Sequence, residues 1–247
     1  MIVIPMAGLS SRFTREGFTK PKYMLEGRGK TLFEHSVGSF SAYFSSEYFL
    51  FVSLNVDGVE EFVNERCGRL GIKNYSLIIL DCATRGQAET VSKGLRLCGA
   101  KEDEQITIFN IDTFRPRFKF PDFLSDPAVD GYLETFVGGG SNWSNILPDP
   151  AGDNRVSLTA EKQEISQYCC TGLYFWRSVK LFQDCFAAYE RQFDGVSNGG
   201  ELYVAPMYNL AIKSGCEINY SVIDRSDVIF CGIPSEYKAF LEANVAV

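Results

Sequence analysis

The stretch best equipped for chemistry comes almost at once: residues 5–25 read PMAGLSSRFTREGFTKPKYML. After an apolar run, Ala7, Gly8, Leu9, Ser10, Ser11 and Arg12 offer a glycine that lets backbone approach a ligand, two hydroxyls, and several N–H groups able to wrap phosphate oxygens. Arg12 adds a guanidinium fork for the same oxygens. Further on, Pro21 fixes the backbone and holds Lys20 extended, so Lys22 is aimed rather than left as a free surface charge. The stretch is neither a G-x-G-x-x-G fingerprint nor a Walker A loop, because the second glycine and the terminal Gly-Lys-Ser/Thr are missing. A Gly-Ser turn after a strand is common in itself; the lysines around Pro21 are what mark this one as an anion site. The single histidine, His35, falls in an apparent helix reading TLFEHSV and is read as a cap or packing residue, not a base.

These residues need a scaffold, and the chain is long enough to build one. Its 247 residues, 45% hydrophobic and 22% charged, suit a single α/β domain over 1–247, with a nucleotide-binding half at 1–137 and an acceptor-binding half at 138–247. Apolar runs predict strands at 2–6, 48–54, 75–80 and 106–111, alternating with helices at 31–43, 57–70 and 87–98. That is a Rossmann-like half, in which ligands gather at the carboxyl ends of the strands. The second half predicts strands at 131–137, 155–158, 171–176 and 217–223 and helices at 179–191, 202–213 and 235–243. The expected fold is a mostly parallel mixed sheet flanked by helices. Residues 138–154, rich in Gly, Asn and Pro, read as a mobile loop or hairpin tip.

Composition narrows the partners. With 31 acidic against 24 basic residues the net charge is −7, which argues against nucleic acid or a membrane surface as a partner and makes any phosphate site local. The eight cysteines form no C-x-x-C pair and sit mostly in apolar segments, so they are expected to be reduced core residues of a cytoplasmic protein. No segment approaches the roughly 20 apolar residues of a membrane span.

Taken with the Pro-Lys segment, the Gly-x-x-Ser-Arg loop resembles the signature of the sugar-1-phosphate nucleotidyltransferases, or nucleoside-diphosphate-sugar pyrophosphorylases. Further segments resemble that family in its own order, over about residues 2–243. TRGQAETVSKGL carries Gly86 and Gln87 where the family meets the nucleotide base, and IFNIDTF carries Asp112 where the family keeps an aspartate for magnesium. LTAEKQEIS presents Glu161 and Lys162 like the family's Glu-Lys pair, CTGLYFW places Gly172 on the strand that follows, and GGELYVAPMYNLAI carries Glu201. FCGIPSEYKAFL resembles the late Gly-Thr-Pro turn.

The resemblance implies attack by an acceptor phosphate on the α-phosphorus of a nucleoside triphosphate, expelling pyrophosphate. Arg12 would hold the departing β/γ oxygens, Lys22 the α-phosphate or the attacking phosphate, Asp112 a Mg²⁺ ion, Lys162 the acceptor's phosphate and Glu161 its hydroxyls or amine. Glu201 is either a helix-start acid or an acceptor contact. Two positions depart from the common pattern. Phe230 stands where many members have a second metal-binding aspartate, so that carboxylate has moved to Asp224 or Asp227, or the acceptor phosphate completes the shell. Asp81 stands where UTP and dTTP enzymes commonly have glutamine; an ionised carboxylate only accepts, which suits the cytosine amino group, although Gln87 can restore a donor. The nucleotide thus stays open among CTP, UTP and dTTP, and the acceptor between a sugar phosphate and another small phosphate such as phosphocholine. A product for surface polysaccharide is one expectation; a homo-oligomer is possible. The rival readings are a non-catalytic nucleotide-binding regulator of the same fold and a molybdenum-cofactor-type nucleotidyltransferase, which the later segments fit less well.

Overall fold

A computed structural model describes residues 1–196 and 200–243. Gly199, the first residue of the GGELYVAP segment, lies outside them. In chain order the first half runs β1 (Ile2–Met6), α1 (Ser11–Arg15), β2 (Glu26–Gly27), β3 (Lys30–Thr31), α2 (Leu32–Gly38), β4 (Phe49–Leu54), α3 (Val59–Leu70), β5 (Tyr75–Leu80), α4 (Gln87–Leu97), β6 (Ile106–Phe109) and β7 (Thr113–Phe114). The second half runs β8 (Val129–Val137), β9 (Ser144–Pro148), β10 (Val156–Glu161), β11 (Tyr168–Trp176), α5 (Val179–Arg191), α6 (Tyr208–Lys213), β12 (Glu217–Ile223), β13 (Ile229–Phe230) and α7 (Pro234–Glu242).

Nine strands form one mixed sheet in the order β10-β9-β11-β6-β1-β4-β5, with β8 paired to β11 and β12 to β8. β6, β1, β4 and β5 are mutually parallel, and β11 enters antiparallel beside β6. The period of 2 along a strand explains how the short apolar runs build two cores. Ile2, Ile4 and Met6 face one layer with Phe49 and Phe51, while Val3 faces the other with Leu50 and Val52. The first layer is closed by Phe33 and Val37 of α2 and Val63 of α3, the second by Val91 and Leu95 of α4 and Phe182 and Phe186 of α5. Each such side chain contributes about 1.5–3 kcal/mol by leaving water.

Three expectations are corrected. The proposed helix over 202–213 begins only at Tyr208, after a 3₁₀ turn at Ala205–Met207. Leu202 instead lies outside any helix or strand, its N–H donating to Arg85 O (2.7 Å) and its O accepting from Ala88 N (2.9 Å). The stretch 138–154, read as a mobile loop or hairpin tip, contains β9, whose Ile146 is fully buried between β10 and β11, and it ends in the turn that joins β9 to antiparallel β10, as the hairpin alternative has it. The polar flanks on either side masked one short apolar pair. Where the sequence predicts one helix over 31–43, the chain forms α2 and a separate 3₁₀ turn at Ser41–Tyr43.

All eight thiols are free, Cys169 and Cys170 included. Cys82 departs from the core reading, since it is exposed in the segment after β5. His35 packs against Phe114 and Phe240, with Nε2 hydrogen-bonded to Gly27 O at 2.8 Å, as a packing residue should. Among the described residues, no helix is long and apolar enough to cross a membrane.

Candidate active site

The opening loop leaves β1 at its carboxyl end, and Ser10 adopts a left-handed conformation (φ 51°) that turns the chain into α1. Pro21, at φ −52°, launches a 3₁₀ turn over Lys22–Met24. Its middle residue, Tyr23, is 2% exposed and bonds Ser53 through its hydroxyl (3.2 Å), which anchors the turn to the sheet. Lys22 is thereby aimed: its backbone N–H donates to Ser10 Oγ (3.2 Å) and its ammonium donates to Asp112 Oδ2 (2.6 Å). Both charged groups keep about a fifth of their side-chain surface in solvent, so the pair is reachable by a ligand. The loop, Lys22 and Asp112, which lie up to a hundred residues apart in sequence, form one contiguous set.

Asp112 follows β6, and its carbonyl accepts the Cys231 N–H (2.8 Å), tying it to the late Gly-Ile-Pro turn. In that turn Glu236 Oε2 accepts from the Gly232 and Ile233 N–H groups (2.9 and 3.2 Å). Burial raises the Glu236 carboxyl above its ordinary value, and the charge of Asp112 adds to the rise. The acid that shares this turn with Asp112 is therefore Glu236. Asp224 is exposed, and the Asp227 carbonyl is taken by Arg115 Nη1 (2.7 Å). Phe230 packs with Phe136 and Trp143, a hydrophobic setting that replaces any carboxylate at that position. Among the described residues, no three His, Cys, Asp or Glu side chains converge as a metal cage.

Gly86 and Gly172 have conformational reasons to be glycine. At Gly86 (φ +141°) a Cβ would lie 2.6 Å from Leu202 N and O, and at Gly172 (φ +96°) 2.4 Å from Asn110 Nδ2. Gly172 marks the irregularity in β11 between Cys170 and Tyr174, and its carbonyl accepts the Asn110 N–H (3.1 Å). Gln87 donates to Asn110 Oδ1 (2.5 Å), so its amide is partly committed inside the protein. Asp81 is exposed at the carboxyl end of β5, where the geometry joins it to none of the other site residues.

On the acceptor side, Glu161 ends β10 and is hydrogen-bonded by Ser144 Oγ. Burial raises its carboxyl, with the charge of Glu201 also raising it and Ser144 and Lys162 opposing. Lys162 (φ +53°) donates its backbone N–H to Trp143 O (3.0 Å) and its ammonium to the Tyr203 hydroxyl, which in turn donates to Glu201. Glu201 thus lies outside any helix, well before α6 begins at Tyr208, and the helix-start reading is withdrawn. Burial and Glu201 raise the Tyr203 phenol and the charge of Arg12 opposes them, so Arg12 lies within electrostatic range of this cluster. Tyr203 went unrecognised in the sequence: the only signal would have been its place two residues after Glu201, and its partner Lys162 is 41 residues away.

The turn that precedes α4 is fastened by Glu89. Its carboxylate accepts from Arg85 N (2.6 Å), Nε (3.0 Å) and Nη2 (3.1 Å), and Lys93 Nζ lies 3.0 Å away. Burial alone would raise this carboxyl, but the hydrogen bonds from Arg85 and Lys93 outweigh it and bring it from 4.5 to about 2. Because the folded value lies below the unfolded one, the stabilisation is complete above the ordinary carboxylate range and is lost as pH falls toward about 2. With the Arg85 side chain 43% exposed, solvent screening limits the contribution to about 1–2 kcal/mol. Denaturant unfolding between about pH 5 and about pH 2 is expected to show a steeper loss of stability in the wild type than in Glu89→Gln. Equal slopes would dismiss the linkage.

A cavity of about 570 Å³ lies at the opposite, amino-terminal end of β1 and β6, lined by Met1, Gln105, Thr107 and Phe175 among others. None of the site residues lines it.

A wound sheet whose opening loop carries Arg12 and meets a lysine–aspartate pair at the carboxyl ends of its parallel strands suits a nucleotidyltransferase-type enzyme. The chain matches no family model and no curated protein. The crystal structure of the nucleoside-diphosphate-sugar pyrophosphorylase from Vibrio cholerae RC9 is 50% identical to it, with a TM-score of 0.92 over 98% of this chain and 100% of that one. The chain belongs to the nucleoside-diphosphate-sugar pyrophosphorylase family. The fold is shared more widely. A putative glucose-1-phosphate thymidylyltransferase from Bacillus anthracis (15% identity, TM-score 0.72, covering 100% of this chain and 97% of that one) has it. So does the inositol-1-phosphate CTP transferase from T. maritima (14%, 0.71, 100% and 97%).

Proposed function

We propose that this enzyme transfers a nucleotidyl group from a nucleoside triphosphate to a sugar phosphate and releases pyrophosphate. The observation that carries the reading is the 2.6 Å contact between Lys22 and Asp112, joined to the Gly8–Arg12 loop through Ser10. Two polyanions repel one another, so catalysis here means holding both in line and offsetting charge that moves from the attacking oxygen to the leaving pyrophosphate. Arg12 and the loop N–H groups bind the departing β/γ oxygens. Lys22 leaves Asp112 to meet the α-phosphate, and its compact ammonium follows the charge there. No side-chain nucleophile is needed, which agrees with the packed, non-catalytic setting of His35.

Asp112 fits a Mg²⁺ ion of the kind that keeps several waters and takes one or two carboxylates plus substrate phosphates: its carboxylate is partly exposed, with Lys22 as its only charged partner among the described residues. When bound, the ion would supply charge neutralisation at the phosphates. Glu236, engaged at the turn of α7, stands behind it.

The pocket favours a sugar phosphate over phosphocholine. Recognition of a quaternary ammonium uses open aromatic faces. Here Lys162 Nζ lies 4.5 Å from the Tyr203 ring centroid, and Arg225 Cζ lies 4.9 Å from that of Phe230 and 5.4 Å from that of Phe136. These faces carry the chain's own cations, while Glu161 and Glu201 present acceptors to hydroxyls. Asp81 lies on the same carboxyl rim of the parallel strands as the opening loop, and a carboxylate that meets the base there only accepts, which suits the cytosine amino group and favours CTP. An activated sugar of this kind suits the building of surface polysaccharide.

Pyrophosphate release across CTP, UTP, dTTP, ATP and GTP, with sugar 1-phosphates and phosphocholine as acceptors and Mg²⁺ present, is expected to be fastest with CTP and a sugar phosphate. Tight nucleotide binding without turnover for any pair would replace this reading with the regulator.

A further inference from the structure

The segment Glu201–Leu202–Tyr203 connects the two halves of the site. Leu202 is fastened through both backbone groups to the Arg85–Ala88 turn, so closely that Gly86 admits no side chain. That turn is held on its other side by Glu89. One residue further, the half-buried Tyr203 points its hydroxyl between Lys162 and Glu201, accepting from the ammonium and donating to the carboxylate. The lysine also lies over the tyrosine ring, 4.5 Å from its centroid. Lys162 sits at an exposed corner beyond β10, where a four-carbon stem would otherwise sample many rotamers. Only a group that both donates and accepts can satisfy its two neighbours at once. Burial and the adjacent Glu201 push the phenol above its ordinary value, so it keeps its proton at neutral pH.

We propose that Tyr203 is a positioning residue: its phenol, bonded by Lys162 and Glu201 together, aims the lysine ammonium at the acceptor's phosphate from a segment fastened to the nucleotide-side turn. The proposal rests on the reading of Lys162 as the acceptor-phosphate ligand. It makes acceptor affinity depend on a residue whose backbone neighbour is clamped to the nucleotide-side turn.

The test is calorimetric titration of inorganic phosphate into the full-length protein in magnesium-free buffer, for the wild type, Lys162→Ala, Tyr203→Phe and the double variant. Both single variants are expected to bind phosphate about tenfold more weakly, with the double variant no weaker than Lys162→Ala alone. Unchanged binding in Tyr203→Phe beside weakened binding in Lys162→Ala overturns the positioning role and leaves the acceptor reading standing. Unchanged binding in both overturns the two together. In turnover, Tyr203→Phe is expected to raise the acceptor KM about tenfold while the triphosphate KM stays within about twofold. An equal rise in both contradicts the proposal. Phenylalanine keeps the ring, so a cooperative melt within about 2 °C of wild type is the expected control.

Discussion

Lys22→Ala is expected to lower kcat/KM by about a thousandfold while leaving the melting transition nearly unchanged. The expected loss is large because the ammonium meets charge that grows during the reaction, where a single aimed donor is worth about a hundred- to a thousandfold and a full charge lies at the upper end. The structural cost is small for a separate reason. Both members of the Lys22–Asp112 pair remain partly solvated, so an unpaired Asp112 is rehydrated rather than stranded. Steady-state rates and thermal melts of the same preparation separate these effects. A variant with near-normal rates removes the lysine from the mechanism, and one that fails to fold assigns it to structure.

The largest effect on stability is expected at a different ion pair. Arg115 and Glu134 are 7% and 2% exposed, and the guanidinium grips the carboxylate in parallel, Nε to Oε1 at 2.7 Å and Nη2 to Oε2 at 2.9 Å. Thr171 Oγ1 adds a third bond to Oε1 (3.0 Å), and Arg115 Nη1 holds the Asp227 carbonyl. Arg115→Ala would strand a carboxylate beneath β8 and release the loop that leads to β13, at a cost of about 3–5 kcal/mol, or about 10 °C in Tm. Replacing both partners, as in Arg115→Met with Glu134→Leu, is expected to recover most of that loss, because two buried charges cost nearly as much to desolvate as they return by pairing. Differential scanning of the single and double variants decides the matter. A single variant within about 1 kcal/mol of wild type would show that water reaches Glu134.

Much of the fold was legible because the first half of the chain obeys local rules. β1 and β5 match their apolar runs residue for residue, and α3 and α4 start within two residues of their expected positions, since each buries one regular face. The failures come from contacts that local pattern cannot express. Leu202–Val204 has the apolar content of a helix, yet its backbone is claimed by Arg85 and Ala88, more than a hundred residues earlier. β9 is short and flanked by turn formers, and what makes it a strand is its pairing with β10 on one side and β11 on the other. At the site, Lys22, Asp112 and the opening loop were recognisable because each lies at a strand end or beside a proline that restricts it. Tyr203 was not, because its role exists only once β10 and the 201–203 segment lie side by side. Glu134 left a trace that went unused, an acid in the middle of GYLETFV, where alternation would place a buried residue.

The central claim is that the Gly8–Arg12 loop, Lys22 and Asp112 together receive the triphosphate. Crystals of the protein with magnesium and a non-hydrolysable triphosphate test it most directly. The β/γ-phosphates are expected on the loop, the α-phosphate within hydrogen-bond reach of Lys22, and the cation on Asp112. A triphosphate seated elsewhere, with Lys22 still paired to Asp112, would contradict it.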